Sequence, residues 1–413
     1  MPNSTGHTAL PTIHDLPVEL LDRIIDCVAF QRVKRVRSNL AACALVCRRW
    51  THRSRFNFFK DCRLLLHCHN APEFAKLLRS PCCTILPHVR QLTIMNLGSS
   101  SWAPKHAFDD IVDDLRLLVA LESLKLSGSS WATHGVAPRR GFMAAFANVV
   151  ELQISCPNLG DFGHALMILC AFPSLQRLFI YKFSLSDKAK PLSPPYPPYT
   201  APAWIQPNES LIHPPPFSFL RINAPAMIPI LHWLNWADSH RHLTRLELLL
   251  SEADDGVISA ENIPPLQRYL SLCGSLEHLK LVSPSKPPLL NARDLQAVFD
   301  LRAFKRLRSL HIEFQHGAAL SSVRAVEQCA VPIVQTIASP VFERANFVFE
   351  DGALFSEVPW ASLDPVFAGF PALEGVCFAG RAIQDLESSI RLWFPKITAR
   401  GLLDLKPCHV SKD

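Results

Sequence analysis

From residue 89 onward one short pattern keeps returning. An apolar residue is followed three positions later by a leucine, a variable residue and a second large aliphatic. It reads Val89…Leu92-Thr93-Ile94, Leu121…Leu124-Lys125-Leu126, Val149…Leu152-Gln153-Ile154 and Leu175…Leu178-Phe179-Ile180. It resumes at Phe217…Leu220-Arg221-Ile222, Leu243…Leu246-Glu247-Leu248, Leu276…Leu279-Lys280-Leu281 and Leu307…Leu310-His311-Ile312. Weaker copies stand at Phe342…Ala345-Asn346-Phe347 and Leu373…Val376-Cys377-Phe378, with irregular ones at Leu64-Leu65-Leu66 and Leu402 to Leu405. Copies follow one another at roughly 26 to 35 residues, with one longer step between Ile180 and Leu220. Self-similarity at such a period marks a solenoid, because one unit cannot bury its apolar face and must stack on its neighbours.

The alternating triplet is strand-like, with every second side chain turned inward. Between copies lie stretches of helical spacing, such as Ile111, Leu115 and Leu118 after Asp109-Asp110. Others are Phe162, Leu166 and Leu169; Leu266, Leu270 and Cys273 ending at Gly274; and Leu295, Val298 and Phe299. One strand and one helix per copy predict an α/β solenoid over residues 59–405, with 406–413 as a C-terminal tail. The long step holds 187–216, with ten prolines in thirty residues and the run Pro194-Pro195-Tyr196-Pro197-Pro198-Tyr199. That density blocks helix and strand and predicts an inserted surface loop; a docking peptide for a proline-recognising domain is the other reading. The loops beginning at Gly98 and Gly128 are alike and read either as a duplicated contact surface or as repeated loop chemistry.

Composition narrows the class. Hydrophobic residues make up 48% and charged residues 19% of the 413-residue chain, which fits a large core. The net charge of +6 is too diffuse to argue for nucleic acid, and no run of about 18 apolar residues predicts a membrane span. Residues 1–12 are polar and read as a mobile terminus without a secretory signal. Thirteen scattered cysteines, among them Cys43, Cys170, Cys273 and Cys329, fit reduced thiols in the cytoplasm or nucleus better than a disulfide framework.

Ahead of the repeats, residues 13–58 have a different texture. Pro17 suits a helix start, and Leu20, Leu21, Ile24, Ile25 and Val28 recur at helical spacing. Ser38 can cap a second helix in which Leu40, Cys43, Cys47 and Trp50 form a stripe. Two short helices cannot bury all of this apolar surface, so some of Leu16, Pro17, Leu20, Val46 and Trp50 should face outward, as at a protein contact. The basic residues Arg32, Lys34, Arg35, Arg37, Arg48, Arg49, Arg53 and Arg55 read as a basic loop and a solvated helix face.

Leu16-Pro17-Val18-Glu19-Leu20-Leu21, followed by Leu45-Val46-Cys47-Arg48-Arg49-Trp50, resembles the F-box, the adaptor-docking motif of cullin–RING ubiquitin ligases. The repeats resemble irregular leucine-rich repeats without the regular Asn or Cys turn, and the two together resemble a fungal-type substrate receptor. The resemblance implies a non-catalytic subunit of an SCF-type ubiquitin ligase. Leu16, Pro17, Leu20, Ile24, Val46 and Trp50 would dock a Skp-type adaptor, and the repeats would bind a protein client. The alternative is a ligase-independent repeat scaffold for protein–protein interaction, its N-terminal hairpin capping the array.

No phosphate loop, dinucleotide fingerprint, zinc helix or nucleophile elbow occurs, and no cofactor is expected. The cluster Cys62, His67, Cys68, His69, Cys82, Cys83 and His88 is read as thiols and surface histidines, since His67-Cys68-His69 along a strand would point to opposite faces. Neither nucleic acid nor membrane is an expected partner. The residues beside the inward leucines should line a concave face of mixed polarity, and its centre, Arg177, Phe179, Tyr181, Arg221, Asn223 and Arg245, is the candidate client site.

Overall fold

The computed structural model describes residues 16–30, 36–60, 63–67, 69–95, 111–128, 146–156, 168–183, 215–223, 230–231, 234, 239–249, 263–283, 298–314, 330–349, 359–381 and 383–407. The terminus 1–12, most of the proline-rich stretch 187–216, the bodies of the two glycine–serine loops, Cys329 and residues 408–413 lie outside them.

Each copy of the repeated pattern is a strand. The twelve are β1 (Arg63–His67), β2 (Gln91–Met95), β3 (Ser123–Ser127), β4 (Glu151–Cys156), β5 (Arg177–Phe183) and β6 (Phe219–Asn223), then β7 (Arg245–Leu249), β8 (His278–Ser283), β9 (Ser309–Phe314), β10 (Arg344–Phe349), β11 (Gly375–Gly380) and β12 (Leu403–Pro407). They form one parallel sheet in chain order. Because sequential parallel neighbours need a return path, each strand is followed by a crossover, and the crossovers with helical turns stack with the sheet to enclose the core. The architecture is a short all-helical start followed by a leucine-rich-repeat-like α/β solenoid. The irregular copies at both ends are strands as well. The last runs two residues into the expected tail, to Pro407.

The register is that of the pattern. Leu92 pairs with Leu124, Leu124 with Leu152, Leu152 with Leu178 and Leu178 with Leu220, and Ile94 through Ile222 form a second file beside them. The apolar residue three positions ahead of the first inward side chain is buried in each copy from β2 to β11, from Val89 through Leu175, Leu243 and Leu307 to Leu373. These files merge into one core running from Leu66 to Ile397. A backbone spine pins each copy to the one before. Both Glu122 and Ser123 N–H groups donate to the Arg90 carbonyl, Val150 and Glu151 to Glu122, and Gln176 and Arg177 to Val150, and so on to Glu374 and Gly375 on Glu343. Buried amides at the strand starts are thereby satisfied without the regular turn residue that the sequence lacks.

Near the C-terminus aromatics replace leucines. Trp360, fully buried, lies 5.4 Å from Phe347, 5.7 Å from Phe349 and 5.5 Å from Phe378. Nothing in the repeat pattern marks it, since it sits between two copies. The helix Pro395–Ala399 then ends at Gly401, whose φ of 68° is the left-handed conformation that glycine adopts without strain. Leu402 N–H reaches back to the Ile397 carbonyl and Gly401 N–H to Thr398, a Schellman ending that turns the chain into β12.

Residues 16–60 form three helices rather than the expected two: α1 (Val18–Phe30), α2 (Val36–Val46) and α3 (Arg48–Lys60). The stripe ending in Cys47 and Trp50 is broken at Cys47, whose carbonyl accepts from Trp50 and Thr51 N–H, while Thr51 Oγ1 donates to the Ala44 and Cys47 carbonyls. Ser38 lies inside the first turn of α2 and not at its cap. Pro17 stands just ahead of α1, and its carbonyl accepts from Leu20 and Leu21 N–H. Leu21, Ile25 and Leu40 are buried here, apart from the long core of the repeats.

Candidate functional site

The open face of the sheet carries the side chains that alternate with the core files. Residues expected at its centre stand on three adjacent strands, β5 to β7. Register places Arg177, Phe219 and Arg245 in one row, and Phe179, Arg221 and Glu247 in the next. Rings and guanidiniums therefore alternate in both directions. The Phe179 ring lies 4.7 Å from Phe219 and 6.3 Å from Tyr181, the latter pair stacked at 14°. The Arg221 guanidinium sits 5.1 Å from the Tyr181 ring centre, and that of Arg245 5.2 Å from Phe219. Both geometries are cation–π contacts.

Tyr181 sits at an irregularity of the ladder. The β4–β5 register shifts after Ile154, so that Ser155 pairs with Lys182 and Tyr181 is the extra residue. Asn223 Nδ2 donates to its carbonyl at 2.7 Å. The neighbouring strand thus satisfies the carbonyl that the bulge frees.

Two carboxylates hold the arginines. Glu247, only 4% exposed, takes Arg245 Nη2 at 2.7 Å on one oxygen and Arg221 Nη1 at 3.4 Å on the other. Glu151 takes Arg177 Nη2 at 3.1 Å and accepts also from Ser123 Oγ and Gln153 Nε2. Of the six expected site residues, Phe179, Tyr181, Arg221, Asn223 and Arg245 are joined by these contacts. Arg177 is not stacked with them; of its two register neighbours, Glu151 on β4 and Phe219 on β6, it pairs with Glu151. Phe219 and the pairing role of Glu247 were missed. Phe219 occupies the position of Arg177 and Arg245 immediately before its leucine, so the repeat alignment alone could have found it.

Further along, Glu313 lies between Lys280 Nζ at 2.6 Å and His311 Nε2 at 3.7 Å. The His311 imidazole and the Lys280 ammonium hold its carboxyl down to about 2.

The helical segment carries the second candidate surface. Val18, Leu20, Ile24, Phe30, Leu45 and Val46 are exposed, which is six of the thirteen large exposed apolar side chains among the described residues, on only two helices. Pro17 is exposed too, whereas Leu16 and Trp50 are half-buried. The opposite side of this segment is polar and fastened. Arg53 donates from Nε and Nη2 to the two Asp26 oxygens at 2.7 and 2.5 Å, and Asn57 Nδ2 adds a third bond at 2.7 Å. Arg53 is thus a tie between α1 and α3, not a residue of a solvated face, and its hydrogen bonds hold the Asp26 carboxyl below the usual range. Arg32, Lys34 and Arg35 lie outside the described residues.

α3 also meets the repeats. Phe59 packs on the repeat core, Arg55 donates to Thr84 Oγ1, and His88, 6% exposed, lies edge-on to His52 at 5.0 Å and to Phe56 at 6.4 Å. Burial first, then the His52 and arginine charges, push the His88 imidazole below its usual value.

The cysteine–histidine cluster is differently arranged from the expectation. β1 ends at His67; His69 is in the following turn, its N–H donating to His67 Nδ1 and its ring 5.7 Å from that of His67. The two imidazoles therefore lie together and not on opposite faces. Cys62 and Cys68 lie outside the described residues, among which no group of three or more His, Cys, Asp or Glu is placed to hold a metal ion. Cys170 and Cys273 are thiols pushed up to about 12 by burial. Among the described residues no helix is long and apolar enough to cross a membrane.

No protein-family model matches the chain, and no curated protein matches it. Among solved structures it is similar to the leucine-rich repeat-containing protein LegL7 from Legionella pneumophila. That match has 16% identity, covers 81% of this chain and 98% of that one, and has a TM-score of 0.46. A second similarity is to the Rad7 and Elc1 complex in yeast, at 14% identity, 87% of each chain and a TM-score of 0.37.

Proposed function

We propose that this protein is a substrate-recognition adaptor of an SCF-type ubiquitin ligase. It does no chemistry itself. Leu16, Pro17, Leu20, Ile24, Val46 and Trp50 dock a Skp-type adaptor, and the open face of the sheet holds a protein client. Tethering then raises the effective concentration of client lysines near the charged conjugating enzyme. The observation that carries this reading is the crowding of exposed apolar side chains on α1 and α2, next to a helix, α3, that is already committed to the repeats. Apolar surface of that density on a small helical segment is suited to a protein partner.

Co-expression with a Skp-type adaptor and affinity capture tests it. Leu20→Asp with Val46→Asp should abolish capture with only a small change in the thermal midpoint, because both side chains are about half exposed. Undiminished capture by the folded double variant would sink the proposal.

One observation favours the second reading, a ligase-independent scaffold whose N-terminal helices cap the array. Phe59, Phe56 and His88 make α3 the cover of the first copy. The two readings separate at α1 and α2, which a cap does not require and a docking module does.

A further inference from the structure

We infer that the patch on β5 to β7 takes an acidic peptide in extended form, with two acidic side chains three residues apart set against Arg177 and Arg245. This deepens the proposed client surface and rests on that part of the reading, not on the adaptor-docking part.

Charge and spacing carry the inference. Arg177, Arg221 and Arg245 face only Glu151 and Glu247 within the patch, and Glu247 is shared by two of the three. Glu151 is already occupied by a serine and a glutamine besides its arginine. Among the described residues the guanidiniums thus keep N–H donors without an acceptor, and the side chains of Arg177 and Arg245 are 53% and 54% exposed. Guanidinium forks pair with carboxylates in fixed geometry, which makes acidic groups the complementary ligand. Phe219 lies between these two arginines in one row. Two strand spacings put the arginines about 10 Å apart. An extended peptide of the polyproline type advances about 3.1 Å per residue and repeats its face every third residue, so acids three residues apart match that distance. Arg221 on Tyr181 and Arg245 on Phe219 are held over rings before any ligand arrives, which lowers the ordering cost of binding.

Single-stranded nucleic acid would also use arginines and rings. The acidic side chains of Glu151 and Glu247 stand in the same rows, and Glu313 follows two strands on, so a continuous phosphate track would meet repulsion at each. A short acidic peptide fits between them.

The test is fluorescence anisotropy on the full chain without any adaptor. The probes are a labelled peptide containing Glu-Asp-Leu-Glu-Asp, its all-lysine counterpart and a single-stranded oligonucleotide. The acidic peptide should bind most tightly, weaken as salt rises, and lose about tenfold in affinity with Arg245→Gln. Arg177→Gln should give a similar loss, and this variant removes a single ion pair, the one with Glu151, with circular dichroism confirming its fold. Equal binding of acidic and lysine peptides, tighter binding of the oligonucleotide, or unchanged affinity in both variants would overturn the inference. Adaptor capture is unaffected by any of these outcomes, so a failure here and a failure of docking are separately visible.

Discussion

Asp364 shows how much one side chain can decide in a repeat protein. It is 3% exposed, and its two oxygens accept from the Lys396 and Ile397 N–H groups at 3.2 and 3.1 Å, capping a helix that lies a whole copy away. Asp364→Ala leaves the buried Ile397 amide without a partner and removes the cap from that of Lys396, and chemical unfolding should show a loss of about 1–3 kcal/mol. Glu313 makes a pH-dependent contribution. Its folded carboxyl is depressed from an ordinary 4.5 to about 2, so its contribution is complete above about 4.5 and is lost as pH falls through about 2. At neutral pH Glu313→Gln should cost about 1–2 kcal/mol, solvent screening included, and the gap between variant and parent should close in that acid window. Urea melts across pH 2–6 measure it. The core files were legible at this scale because alternation alone assigns Leu92, Ile94 and their equivalents to one face. Asp364 was not legible, since the amides it caps belong to the next copy, and neither was the Lys280 partner of Glu313, which comes from the strand before.

At the scale of elements, the N-terminal helices behave differently on their two sides. α1 is tied to α3 by Asp26, Arg53 and Asn57, while Leu20 and Ile24 of the same helix stay in water. Asp26→Ala should loosen α1 by about 1–2 kcal/mol, seen as faster amide exchange in α1 while exchange in β6 to β10 is unchanged. The sequence placed the first helix within a few residues but merged the second and third. Cys47 and Trp50 continue the apolar spacing of α2, and periodicity cannot register a break that leaves the spacing intact. The hydrogen bonds of Thr51 to Ala44 and Cys47 hold that break. β5 offers a comparable case: alternation places Tyr181 on the open face, but no pattern of apolar residues records the register shift beside it.

For the whole molecule the junction at α3 matters most. Removing residues 1–58 would strip Phe56 from His88 and leave Phe59 without its helix. The informative pair is a deletion of 1–46 and a deletion of 1–60. The first should remain soluble and cooperative with its repeat stability intact. The second should aggregate or unfold at lower temperature, because the first copy loses the cover that terminal repeats require. Light scattering and a thermal melt distinguish the two, and equal behaviour would contradict the covering role of α3.

The sequence by itself determined the architecture. A strand-sized apolar pattern recurring along the chain admits little except stacked copies in one parallel sheet, and the in-phase register follows because a slip by one residue would turn each file of leucines to the wrong face. It also named most of the arginine–aromatic patch, since alternation fixes which residues share the open face. Only the tertiary structure decided which of those neighbours touch, that Glu247 joins two arginines, and that α3 belongs to the repeats while α1 and α2 present apolar surface outward. The physical reason is common to all three: burial of apolar files is written in local periodicity, whereas polar pairing depends on the distance between side chains on different copies.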